Sequence, residues 1–360
     1  MTPPVQSPLP APELLALARR YLARGAAWLT WAYLGGLFLL ILWLEHAAER
    51  FWFTGILIFA PPAILLLPLL VLSPFCLLVR PRLLLWHVLA VVMVLFGFMT
   101  FHWGSRPAAK PGEITVVTHN AGQNSRPQFD AFLKATDPDL IVLQDAGGRG
   151  ADLSRKNPKR YVSGKGEFLL LSRFPVLNAE PVQAARWYGR PVAMRFELAC
   201  QNRPLILYSV HLPTPRQQLN RYLSGRAIAR MFLDDDTAAH PQTDYKSWTA
   251  AREKLAQDLA DVLSKETLPF LVCGDFNTPD HGVIYRTVSR QLQDAHRAGG
   301  RGWGFTFPGA THNPLSLGGP WLRIDYAFAG RGWKPVYCQP EPGRRSQHCA
   351  VLARFAPVTE

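Results

Sequence analysis

The chain has 360 residues, 48% of them hydrophobic, and a formal net charge of +13 at pH 7. That length holds one large domain with an appendage, and the charge suits an anionic substrate or surface without bearing on fold. What the sequence excludes is an even spread of apolar residues, because they crowd into the first third.

Residues 27–44, 53–72 and 83–101 form three apolar stretches with no internal Asp, Glu, Lys or Arg. Each approaches the ~20 residues that cross a bilayer. A cleaved signal peptide has one short apolar core, so three in series read as retained spans; a buried helical bundle is the other arrangement they allow. Trp28, Trp31, Trp43, Trp52, Trp86 and Trp103 fall near their ends, where an aromatic belt would sit. Pro61, Pro62 and Pro68 make the middle stretch a candidate for a kink or a re-entrant segment. Arg19, Arg20 and Arg24 precede the first stretch, and Arg80 and Arg82 separate the second from the third. The other connection, residues 45–50, holds two Glu and one Arg. Positive-inside logic places the N-terminus and the arginine-bearing connection in the cytoplasm, and everything after Trp103 outside, at the inner (plasma) membrane. The expected organisation is a membrane domain over 1–104, a Pro-containing linker over 105–112 and a soluble domain over 113–360, with a net charge of +10 on everything after Gly104.

Beyond the linker, strands and helices alternate. A β-branched run at 114–118 precedes a short amphipathic helix at 129–135 and a buried strand at 140–143. Further strands are expected at 168–171, 192–198 and 205–210, the last two joined as a hairpin. Leu255, Leu259, Val262 and Leu263 are spaced as on a helix over 248–264. Strands return at 270–273, 323–328 and 350–355, and the acidic stretch 234–244 reads as a loop insertion. Mixed parallel and hairpin connections favour a layered α/β sandwich over a doubly wound sheet. Cys338 and Cys349 flank a polar connection as a bridged hairpin would, which an exported domain permits.

Polar residues recur where these strands end. "THN" closes the first with Asn120, "LQD" the second with Asp145, and "YSVHLPTP" puts His211 after another. "LVCGDFNTPD" carries Asp275 and Asn277, "RIDYAF" Asp325, and "SQHCAV" His348. Two His, two Asn and three Asp at one sheet edge are too polar to bury without a purpose. Carboxylate and amide oxygens with few thiols suit a hard cation, Mg²⁺ or Mn²⁺, rather than zinc. Singly, each residue has a plainer reading: a histidine can be a solvated cap, and Asp275 with Asn277 can form an Asx turn.

The order N … Q-D … H-L … G-D-F-N … D-Y … S-x-H resembles the endonuclease/exonuclease/phosphatase superfamily, DNase I-like, over residues 114–355. The resemblance implies a four-layered sandwich of two mixed β-sheets flanked by helices, here preceded by about three transmembrane helices, and metal-assisted hydrolysis of a phosphoester or phosphoanhydride. It implies that Asp145 and Asn120 hold the metal, that Asp275 activates water and that Asn277 contacts phosphate. His211 and His348 would flank the phosphoryl group, with Asp325 orienting His348. Two departures stand out. The usual Glu is Asp145, one methylene shorter, and the usual S-D-H is S-Q-H, so Gln347 supplies no negative charge; Arg344 close by is a possible further phosphate contact. Some membrane-anchored members dephosphorylate isoprenoid pyrophosphate carriers, and the layout here is similar. The expectation is therefore a multi-pass, extracytoplasmic phosphoesterase whose partners are the membrane and a phosphorylated substrate, foremost a lipid. Nucleic acid is the alternative substrate, and a catalytically weak phosphate-binding protein the other class. The sequence leaves the oligomeric state open.

Overall fold

The computed structural model describes residues 10–122, 128–200, 203–216, 218–219, 241–309, 316, 318–343 and 346–358. The chain divides into two compact units, one of Met1–Trp43 with Pro61–Thr100, the other of Leu44–Ala60 with Phe101–Glu360. The segment Leu44–Ala60 thus groups with the C-terminal domain, whereas composition placed it in the membrane region.

The first unit is helical. α1 covers Ala11–Ala47; after the short α2 (Trp52–Leu57), which lies in the second unit, come α3 (Leu67–Val79) and α4 (Leu84–Val92). Three segments, Pro12–Arg50, Pro62–Val79 and Pro81–Phe98, are long and apolar enough to cross a membrane. The middle one begins later than composition suggested, because Pro61 and Pro62 lack the N–H groups needed to carry a helix on from α2.

The second unit is built on two six-stranded mixed sheets, as expected. Sheet one takes β1 (Ile114–Asn120), β2 (Leu140–Gln144), β3 (Tyr161–Lys165) and β4 (Phe168–Ser172). Sheet two takes β5 (Val176–Pro181), β6 (Ala193–Cys200), β7 (Arg203–His211), β8 (Phe270–Asp275), β9 (Gln293–Asp294) and β10 (Asp325–Ala329). β11 (Trp333–Pro340) and β12 (Val351–Pro357) return to sheet one. The orders are β11-β12-β1-β2-β4-β3 and β9-β10-β8-β7-β6-β5.

Each sheet has one central parallel pair, β1 with β2 and β7 with β8, and is otherwise antiparallel. These four strands are near-continuous apolar runs because both faces are covered. Val116, Val142, Leu170, Phe196, Leu207, Leu271 and Phe355 fill the space between the sheets. On the outer face of sheet two, Leu255, Leu259 and Leu263 of α7 (Pro241–Ser264) pack on Ile206, Val272 and Phe328. On the outer face of sheet one, Leu133 of α5 (Gln128–Thr136) and Leu153 of α6 (Gly150–Lys156) pack with Ile141 and Leu169. The result is four layers, helix, sheet, sheet, helix.

α7 begins before its expected start, so residues 241–244 are helical rather than loop; the rest of the expected insertion, 234–240, lies outside the described residues. The expected Cys338–Cys349 bridge does not form. All five cysteines are free and buried, and Cys338 belongs to the core between the sheets. Burial pushes the thiols of Cys200 up to about 12, and those of Cys273 and Cys338 higher still, which leaves them as small hydrophobes.

Candidate active site

A parallel pair ends both its strands at one edge, so the register His211↔Asp275 in sheet two and Asn120↔Gln144 in sheet one delivers side chains to the same rim. An antiparallel neighbour contributes from its start, which is how Asp325 comes to lie opposite Asp275. His348 arrives from the turn that leads into β12, where the Gln347 carbonyl accepts from Gly309 N at 2.7 Å. Arg344 lies outside the described residues.

Asp275 is at the centre and fully buried. Its Oδ1 accepts the Asn277 backbone N–H at 2.8 Å, and its Oδ2 accepts the side-chain amides of Asn120 at 2.8 Å and Asn277 at 3.1 Å. The Asn277 amide also donates to Leu212 O at 2.9 Å. His211 Nε2 lies 3.8 Å and His348 Nε2 3.9 Å from Asp275 Oδ2. His348 Nδ1 meets Asp325 Oδ2 at 3.0 Å, which sets the tautomer and leaves Nε2 facing the centre. Burial disfavours the His348 imidazolium, but Asp325 and Asp275 outweigh it and push the pKa up to about 9.

Asp145 follows β2 on the other side of the rim and is exposed. It has φ 52°, and Asn277 has φ 47°. Left-handed backbone costs a non-glycine residue roughly 1 kcal/mol and is characteristic of functional turns. Gly122 holds the space between Asp145 and Asn120. A Cβ there would lie 2.0 Å from Asp145 Oδ2 and 3.1 Å from Asn120 Oδ1, so only glycine lets the two oxygens converge. A second cluster, Asp275, Asp325 and His348, brings its ligand atoms within 4.8 Å of one another. Two converging oxygen donors at an open mouth, with no thiol among them, fit a hard divalent cation.

A family model for the Endonuclease/Exonuclease/phosphatase family matches residues 117–348. The chain belongs to this family. Its members are hydrolases acting on phosphoester bonds and are generally divalent-metal dependent. Among solved structures, humanized D. rerio TDP2 is 14% identical with a TM-score of 0.48, over 68% of this chain and 99% of its own. The 3′ phosphatase NExo from Neisseria, bound to product DNA hairpin, is 15% identical with a TM-score of 0.45, over 67% and 98%. An endonuclease/exonuclease/phosphatase from Beutenbergia cavernae is 18% identical with a TM-score of 0.42, over 68% and 72%. None of the curated proteins matches the chain.

In this endonuclease/exonuclease/phosphatase domain, the structure adds residues that the sequence did not single out. Glu167, beside the β3–β4 turn, places Oε2 3.3 Å from His211 Nδ1 and accepts from Arg190 Nη2 at 2.8 Å. Burial lowers the His211 pKa, but Glu167 and Asp275 outweigh it and raise it. Each histidine therefore has its own carboxylate behind it. The only trace of Glu167 in the sequence is an acid directly before an apolar run. Beside His211 opens a cavity of about 410 Å³ walled by Trp187, Tyr188, Arg190, Leu212 and Trp248. Trp187 and Arg190 lie on a two-residue hairpin too short to show a period. A larger cavity, about 800 Å³, is lined by residues such as Arg286 and Arg290 and none of the residues named above as site candidates.

Proposed function

We propose that the protein is a membrane-anchored, divalent-metal-dependent phosphoesterase that acts outside the cytoplasm on a phosphoester or pyrophosphate, foremost of a lipid. The observation that carries the reaction is the set of fixed polar groups around buried Asp275. Asn120 and the Asn277 amide fix the Asp275 carboxylate, so it can orient a water and take its proton. His348, charged at neutral pH and backed by Asp325, and His211, backed by Glu167, offer N–H donors to oxygens on which charge develops. Such preorganised donors cost no rearrangement during the reaction. Asp145 and Asn120 would hold the cation, which when bound neutralises negative charge on the phosphoryl oxygens.

Three apolar segments support the anchor. Leu44–Ala60 belongs to the same unit as the catalytic domain, so the two apolar segments between them make an out-and-back pair. With Arg80 and Arg82 on the inner connection, this favours an outer catalytic domain. An apolar and aromatic wall beside His211 suits an apolar leaving group. A nuclease is the second reading, favoured by the exposed Tyr188 next to Arg190, since bases stack on such rings.

The deciding experiment compares catalytic efficiency of the full chain on an isoprenoid pyrophosphate or phospholipid in mixed micelles with single- and double-stranded DNA, in Mg²⁺ or Mn²⁺. The Asp275→Asn protein is the blank. Efficient DNA cleavage without release of lipid phosphate would replace the lipid reading with the nuclease.

A further inference from the structure

The connection between the first two apolar segments is short, and an ordinary connection would be a solvated loop. Here it is tied into the catalytic domain. Glu49 is only 3% exposed, although carboxylates are almost never buried without partners. Its Oε2 accepts Val283 N–H at 2.7 Å and its Oε1 accepts Ile284 N–H at 3.3 Å, both at the start of α8 (Val283–Ser289). Its own carbonyl accepts from Tyr245 Oη at 2.8 Å. Gly282, at φ 99°, is shaped to this carboxylate, since a Cβ there would lie 2.4 Å from both oxygens. Around Glu49, Glu45 meets His281 Nδ1 at 3.0 Å, and Arg286 donates to the Glu45 carbonyl at 3.0 Å. Near the far end of the connection, Trp321 Nε1 donates to the Phe59 carbonyl at 3.1 Å.

These contacts converge on the loop that follows Asp275. Residues 276–284 run from the reaction centre to the amides that Glu49 holds. Arg252 of α7 clamps the start of this path: it is buried, donates to Asn277 O at 2.9 Å and lies in the field of both Glu49 and Asp275. The other side is held by Arg323, which bonds Asp280 Oδ2 at 2.9 Å. Asn277, in its left-handed conformation, needs such support on both sides to keep its amide on Asp275.

We propose that Glu49 is a positioning residue for the reaction centre, and that Leu44–Ala60 is a strap that completes the catalytic domain. Glu49 fixes the start of α8, which with Arg252 fixes loop 276–284 and so the Asn277 amide on Asp275. A domain cut at the linker lacks this strap. The consequence for the reaction rests on Asp275 being its centre; the strap itself does not.

The test uses the full chain in detergent micelles, as wild type, Glu49→Gln and Glu49→Ala. Amide hydrogen exchange is read by mass spectrometry, and turnover of p-nitrophenyl phosphate esters is measured alongside. Removing a charged acceptor should speed exchange in peptides over 276–285 by at least about tenfold, with β1 and β7 unchanged. The kcat should fall by about the same factor with KM unchanged, and less in Glu49→Gln, which keeps one acceptor oxygen, than in Glu49→Ala. Equal protection of 276–285 in wild type and both variants would overturn the proposal. So would loss of protection across the whole domain in Glu49→Gln, because the strap would then be a general requirement for folding. If exchange responds but Asp275→Asn retains full turnover, the strap stands and the proposed reaction centre falls.

Discussion

The two sheets repeat one device, a central parallel pair whose carboxyl ends carry polar side chains, yet they finish it differently. At the mouth of sheet two, Asp275 is sealed from solvent and held by three N–H donors. At the mouth of sheet one, Asp145 is exposed, on a left-handed residue, with an oxygen aimed at the space Gly122 leaves open. A sealed, fully bonded carboxylate has its geometry settled before substrate arrives, as chemistry requires. An open one still has lone pairs to give, as a cation requires. The same strand topology thus yields a carboxylate of fixed geometry on one side and an accessible one on the other.

The comparison can be broken first at Asp275. Asp275→Asn should cost a hundredfold to a thousandfold in kcat, with no recovery at high metal concentration, measured as initial rates on a folded protein. Recovery at high metal would mean that Asp275 is merely another ligand. Asp145→Ala should lose about ten- to a hundredfold, expressed as a higher apparent metal Kd and relieved by excess Mn²⁺. An unchanged metal dependence would remove Asp145 from the ligand set. Glu167→Gln should lower kcat roughly tenfold by loosening His211 and leave metal affinity alone, which a metal titration at saturating substrate checks.

A smaller effect separates the rim from the body of the domain. His119 and His296 are buried and neutral, burial holding each pKa at about 3. As pH falls from about 6.5 the unfolded chain takes up protons that the folded chain refuses, so stability drops by about 1.4 kcal/mol per pH unit for each. Thermal denaturation between neutral and mildly acidic pH should show this, and His296→Asn should reduce the slope. An identical slope would mean His296 already has a proton in the folded protein.

Much of this was legible in the chain because burial on both faces writes strands as apolar runs, and a polar residue closing such a run is easy to see. Asn120, Asp145, His211, Asp275, Asn277, Asp325 and His348 were all visible in that way, and the structure gathers them at one rim. The missed strands are those without such a run. Tyr161–Lys165 is largely exposed, and Trp333–Pro340 contains prolines, with Pro335 beside a register shift that excuses its missing N–H. Glu167 was invisible because it acts across a hairpin, 44 residues before its histidine. Glu49 was invisible because its partners stand 196 to 235 residues away and it lies in a segment whose neighbours looked like membrane.

That separation has a biosynthetic meaning. The Glu49 carboxylate lies 234 residues before Val283, and the Phe59 carbonyl 262 before Trp321. A ribosome adding about 5–20 residues per second finishes Glu49 more than about ten seconds before its N–H donors exist. Through that interval the strap waits between two apolar segments, and no early intermediate can contain it docked. Its docking closes the largest chain loop among the contacts described here, at an entropic cost that rises only slowly with length. The domain is therefore assembled from segments far apart in the chain, and this tie cannot be completed before residue 321 has been made.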